Sequence, residues 1–208
     1  MKKRILILDE SGIFIRSATG HSKDLCTTEG MTTGGIFSFV KTVMHIAIKY
    51  RPDVILSAAD SKARQLFRKD KFPAYKENRK KNPIKDQVKD FAFQLESVKA
   101  FQKLFCIPRI EVPGFEADDI IASLATQYEA DGHEIFILSA DKDFVQLLNK
   151  SVNLILLGKV DEQGELKVVT PQDDLANVFG IDPSLAQDYQ GVSGDSADIH
   201  KLTQLTFC

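Results

Sequence analysis

Two acidic clusters organise this sequence: Gly114-Phe115-Glu116-Ala117-Asp118-Asp119 and Ser139-Ala140-Asp141-Lys142-Asp143. Each sits where an extended or turning stretch gives way to a helical pattern. Carboxylates packed together repel one another, and a hard cation among them removes that cost; magnesium prefers such oxygen ligands. The ordinary alternative is helix capping, because acids in a first turn complement the helix dipole. That covers Glu116, Asp118 and Asp119 taken singly, and Asp143 with Gln146 fits a capping box. It does not explain why Asp9 and Asp60 also stand directly behind apolar runs.

Those runs are the elements that must position the acids. Ile5-Leu6-Ile7-Leu8, Val54 to Ala59 and Glu134 to Leu138 are short and almost wholly apolar, as expected of strands buried on both faces. Helical spacing marks Thr33–Tyr50, Phe91–Phe105 and Glu116–Glu129. A short helix is expected over Phe144–Leu148, and a further strand over Ser151–Leu157. A turn follows at Asp161 to Gly164, and two more helices open at Thr170-Pro171 and Asp182-Pro183. Ser17 to Gly30 reads as a polar loop. The alternation predicts an α/β fold with a mostly parallel central sheet flanked by helices. Ligands of such sheets bind beyond the carboxyl ends of the strands, so Asp9, Asp60 and Asp141 are expected to converge on one edge.

Net charge is −2, with 43% hydrophobic and 27% charged residues, as in ordinary globular chains. The distribution is uneven. Lys62 to Lys89 carries eleven Lys/Arg against three acids, leaving the remainder strongly acidic. A polyanion would meet this protein along that stretch, or through cations that mask the acids. Pro73 and Pro83 interrupt it, so it is not one helix. On its own it would read as a solvated charged face. Cys26, Cys106 and Cys208 are odd in number and far apart, which argues for free thiols. No apolar run approaches the roughly 18 residues of a membrane span, and a cytoplasmic location is expected.

Dispersed carboxylates beside a basic stretch suit two-metal phosphodiester hydrolysis. In that chemistry two cations about 4 Å apart clamp the attacking and leaving oxygens, and one lowers the pKa of a bound water. Five segments then stand in a telling order: Ile7-Leu8-Asp9-Glu10-Ser11-Gly12, Phe72-Pro73-Ala74-Tyr75-Lys76-Glu77-Asn78-Arg79, Pro113 to Asp119, Ser139 to Asp143, and Gly194-Asp195-Ser196-Ala197-Asp198. Together they resemble the 5′-nuclease family: the 5′→3′ exonuclease domain of bacterial DNA polymerase I, its stand-alone bacterial and phage relatives, and flap endonucleases. The likeness spans residues 4 to 198.

The resemblance implies a PIN-like core with a basic helical arch at about residues 62–90, within a catalytic domain of residues 1–194. It implies metal ligands at Asp9, Asp60, Glu116, Asp118, Asp119, Asp141, Asp143, Asp195 and Asp198, serving two Mg²⁺ ions for which Mn²⁺ can substitute. One group gathers near Asp9, Asp60, Glu116 and Asp118, and a second uses Asp141, Asp143, Asp195 and Asp198. Lys76 and Arg79 would reach the scissile phosphate, Tyr75 would stack on a terminal base, and Arg68, Lys80 and Lys81 would add backbone contacts. The substrate implied is DNA with a free 5′ end or a 5′ flap.

Two departures from the family pattern carry expectations of their own. Glu10 stands where the family usually has Gly, adding charge and bulk at a tight turn beside the first ligand. After Asp198 the family continues into a glycine-rich helix-hairpin-helix, usually with a potassium ion. Here Ile199 to Cys208 reads differently, so residues 195–208 are expected to be the start of an incomplete hairpin region without the K⁺ site, with another polypeptide as the candidate to supply its role. Two rival readings follow: a truncated, catalytically weak or inactive remnant that binds metal or branched DNA, and a PIN-type ribonuclease, which would need fewer acids and no long basic arm.

Overall fold

The computed structural model describes residues 1–61, 86–160 and 166–169. Six strands form one sheet in the order β3-β2-β1-β4-β5-β6. They are β1 (Arg4–Asp9), β2 (Val54–Ala59), β3 (Arg109–Glu111), β4 (Glu134–Ser139), β5 (Val152–Val160) and β6 (Leu166–Val169). All neighbouring pairs are parallel except β5–β6. The α/β, mostly parallel architecture is therefore as the sequence predicts.

Strand β1 shows why. Ile5, Leu6, Ile7 and Leu8 are all buried, because successive side chains leave on opposite faces and both faces are covered. Ile5 and Ile7 join Ile120, Ile121 and Ala125 of helix α4 (Ala117–Ala130). Leu6 and Leu8 join Ile13 and Phe14 of α1 (Glu10–Thr19), Phe39, Val43 and Ile46 of α2 (Gly34–Tyr50), and Val98 and Phe101 of α3 (Phe91–Leu104). Burying each of these large side chains contributes roughly 1.5–3 kcal/mol, which makes the sheet the rigid middle layer on which the strand tips are fixed.

The second layer is also pinned by polar contacts. Gln94, almost fully buried, accepts the Gly35 N–H at 2.7 Å and donates to the Lys89 carbonyl at 2.8 Å. Gly35 permits this approach, since a Cβ there would lie 2.6 Å from Gln94 Oε1. Asp90 accepts the Thr32 N–H at 2.7 Å. The chain thus re-enters the described fold, after the basic stretch, at a point locked to the start of α2.

Several expectations need correction. Ser17 to Thr19 is not loop but the last turn of α1. Asp9 caps that helix, and Ile13, Phe14, Ser17 and Ala18 supply its buried stripe. The short helix near Phe144 is a 3₁₀ turn, Asp143–Leu147, preceded by Lys142 as its cap. Asp143 is therefore inside the turn and does not cap it. Strand β5 runs on to Val160, and β6 folds back antiparallel beside it. The helices expected from Thr170 and Asp182 lie outside the described residues.

Candidate metal centre

Parallel pairing puts the carboxyl ends of β1, β2 and β4 on one edge, with Asp9 level with Ala58 and Leu8 level with both Ser57 and Leu138. Asp9 ends β1, Asp60 follows β2, and Asp141 lies two residues beyond β4. The convergence expected from sequence is present.

Each of the first two carboxylates is gripped in the same way. Asp9 Oδ1 accepts the Gly12 N–H at 2.9 Å, and its Oδ2 accepts the Ser139 hydroxyl at 2.6 Å. Asp60 Oδ1 accepts the Ala117 N–H at 2.9 Å, and its Oδ2 accepts the Ser11 hydroxyl at 2.6 Å. In both cases the amide belongs to the first turn of a helix, where unpaired N–H groups and the helix dipole favour an anion. Gly12 is obligatory for the first grip: a Cβ there would lie 2.1 Å from Asp9 Oδ2.

Burial separates the two. Asp9 is only 5% exposed, whereas Asp60 is open to solvent. Burial pushes the Asp9 carboxyl above its ordinary range, opposed by the bonds from Ser139 and Gly12 and reinforced by the negative charges of Asp60 and Asp141. A divalent cation at this edge would reverse that balance.

The other predicted ligands differ in placement. Glu116 is buried at the N-cap of α4. Asp118 is exposed on its first turn, and Asp119 accepts the Glu116 N–H at 3.1 Å to close a capping box. Asp119 also lines an apolar groove with Ile110, Val112 and Phe115, between β3 and α4. Asp141 accepts the Asp143 N–H at 2.8 Å, and both residues are exposed. Among the described residues no three acids stand close enough to share one ion; Asp9, Asp60, Glu116, Asp119 and Asp141 are turned onto internal donors. The donor set itself, all carboxylate oxygen with no histidine or thiolate, suits a hard divalent cation. Asp195 and Asp198, and the basic residues Arg68, Tyr75, Lys76, Arg79, Lys80 and Lys81, lie outside the described residues.

Glu10, the departure expected to load the turn with charge, is 3% exposed in the first turn of α1. Its two oxygens meet Arg109 Nε at 2.8 Å and Nη2 at 3.0 Å, and Arg109 Nη1 reaches Glu111 at 2.7 Å. Partial burial alone would lower the Arg109 pKa, but the bonds to Glu10 and Glu111 outweigh it and raise it. The added charge is neutralised internally. Gly12, Ser11, Ser139 and Arg109 are the site residues that sequence reasoning missed. Ser11, Gly12 and Ser139 lie inside quoted motifs and carried that much local signal; Arg109 carried none.

Fold and site together define an α/β sheet whose acid-tipped strands gather hard oxygen donors at one edge. Residues 4–178 match the family described as 5′-3′ exonuclease, N-terminal resolvase-like domain, and the chain belongs to that family. It is 34% identical over 198 residues to the thermostable DNA polymerase I of Thermus aquaticus, covering 95% of this chain and 22% of that protein. It is 31% identical over 196 residues to a 5′-3′ exonuclease of Aquifex aeolicus, covering 94% of this chain and 63% of that protein. The chain thus spans less than two thirds of either relative. Among solved structures, the T5 5′-exonuclease with bound zinc superposes with a TM-score of 0.73 at 19% identity, covering 95% of this chain and 69% of that one. That likeness confirms the fold.

Proposed function

We propose that this chain hydrolyses phosphodiester bonds of DNA near a free 5′ end or 5′ flap, using divalent cations held at the acidic edge. The observation that carries the reading is the convergence of Asp9, Asp60 and Asp141 beyond three parallel strands, in a chain of the 5′-3′ exonuclease family. Metal dependence gains support from the T5 5′-exonuclease, a structural neighbour solved with divalent metal ions bound. A T5 flap endonuclease solved with DNA and metal ions supports the choice of substrate.

Magnesium is the cation of choice for these donors, and two such ions, when bound, supply a more acidic attacking water and a counter-charge for the leaving oxygen. Asp9, Asp60, Glu116 and Asp118 would hold the first group, with Asp141, Asp143, Asp195 and Asp198 completing the second. Asp119, which also closes the capping box of α4, would join the ligands beside Glu116 and Asp118. Lys76 and Arg79, three apart in sequence, would present two cationic donors to the scissile phosphate. Tyr75 would hold a terminal base by stacking, worth about 1–3 kcal/mol without sequence preference. Arg68, Lys80 and Lys81 would follow the phosphate backbone.

A 5′-flap DNA labelled on the flap tests this reading at low salt, with magnesium, manganese or chelator. Release of short 5′ fragments that needs metal is the expected result, with Asp141→Ala reducing it by more than about a hundredfold. Full activity of Asp141→Ala would assign the cleavage to another site. Cleavage of RNA but not DNA would favour the PIN-type ribonuclease.

A further inference from the structure

We propose that Ser139 is a positioning residue that joins the two carboxylate groups into one cation-binding unit. This deepens the metal-nuclease reading and rests on it. Ser139 ends β4 and is fully buried. Its hydroxyl donates to Asp9 Oδ2 at 2.6 Å, and its oxygen accepts the Asp141 N–H at 2.9 Å. Asp141 in turn accepts the Asp143 N–H at 2.8 Å. One hydrogen-bonded chain therefore runs from Asp143 through Asp141 and Ser139 to Asp9.

The chain has a direction. A serine hydroxyl has a single proton. With the Asp141 amide already donating to the oxygen, that proton is committed to Asp9. Asp9 Oδ1 is fixed independently by Gly12. Both oxygens of Asp9 are thus held by neutral donors, and each keeps a second lone pair for a cation. A bond from the Asp141 amide to the serine two residues before it is also what an ordinary hydroxyl-capped turn makes. Such a turn does not call for the second bond, to a buried carboxylate 130 residues away in sequence. That bond fixes the separation of the β1 tip from the Asp141–Asp143 turn, and so of one ligand group from the other.

The test is Mn²⁺ binding, followed by the EPR signal of free Mn²⁺, for the full chain and for Ser139→Ala, Ser139→Thr, Ser139→Val and Asp9→Asn. Alanine and valine should weaken Mn²⁺ binding about tenfold or more, the scale of losing a group that orients a ligand. Threonine, which keeps the hydroxyl, should restore it. Nuclease activity of the alanine variant should recover in excess Mn²⁺. Where alanine disturbs folding, the nearly isosteric threonine and valine pair decides. Equal binding by threonine and valine variants, with Asp9→Asn impaired, overturns the role of Ser139 and leaves the metal centre standing. Binding by the wild type no tighter than by Asp9→Asn overturns the metal centre itself, and this proposal with it.

Discussion

Asp9 and Glu10 are neighbours in sequence, both buried, and treated in opposite ways. Glu10 faces a guanidinium that engages both of its oxygens. Among the described residues, Asp9 receives only a backbone amide and a serine hydroxyl, both neutral. The charge of Glu10 is consumed inside the protein, while that of Asp9, among the described residues, meets no cation and stands beside Asp60 and Asp141. One side of the β1 tip is built for stability and the other for an incoming cation. The acid that departs from the family pattern is thereby insulated from the acid that matters to it.

The largest effect should come from unbalancing the insulated side. Arg109→Ala leaves Glu10 buried without a counter-charge, a change that costs about 3–5 kcal/mol. Urea unfolding should show this as a lower midpoint, and Glu10→Gln in the same chain should recover much of it. If Arg109→Ala alone unfolds like the wild type, the Glu10 pair is not a structural clamp. Gly12→Ala strikes the other side. Its new methyl group would collide with the Asp9 carboxylate, and overpacking of this kind costs about 1–3 kcal/mol. The variant should fold, lose Mg²⁺-dependent thermal stabilisation, and respond more weakly to Mn²⁺ in the same assay. Unchanged metal response would mean that the orientation of Asp9 is not critical.

Much of this arrangement was legible in the sequence, for a physical reason. Strands buried on both faces appear as unbroken apolar runs, so β1, β2 and β4 and the acids behind them could be read directly. Helices α2, α3 and α4 followed from their apolar period. Helix α1 was missed because Glu10, Ser11 and Gly12 resemble a turn; its start depends on Asp9 folding back onto the Gly12 amide, and an acid predicted to ligate metal conceals a cap. Strand β6 is four residues long and carries Lys167, too short for alternation to stand out. The pairs Glu10–Arg109 and Ser139–Asp9 link residues 99 and 130 positions apart. Nothing local encodes such contacts, since they exist only once the sheet order brings the strand tips together.

Among the described residues, Asp9 carries a charge that nothing compensates. Its pKa lies above the usual 3.8, chiefly through burial. An acid raised in the folded state favours folding while it is protonated, so its contribution is fully present below the unfolded value. That contribution is lost as pH rises through the raised folded value. Ionising Asp9 therefore weakens the cation-free protein, and a divalent cation relieves it. The most direct measurement is the melting temperature of Asp9→Asn against wild type at pH 7, in chelator and in magnesium. In chelator the asparagine variant should melt higher, by about 2–4 °C for each kcal/mol relieved, and the rise that magnesium gives the wild type should be absent. A variant that melts lower in chelator yet keeps the full magnesium rise would contradict the account, placing both the cation and the uncompensated charge elsewhere.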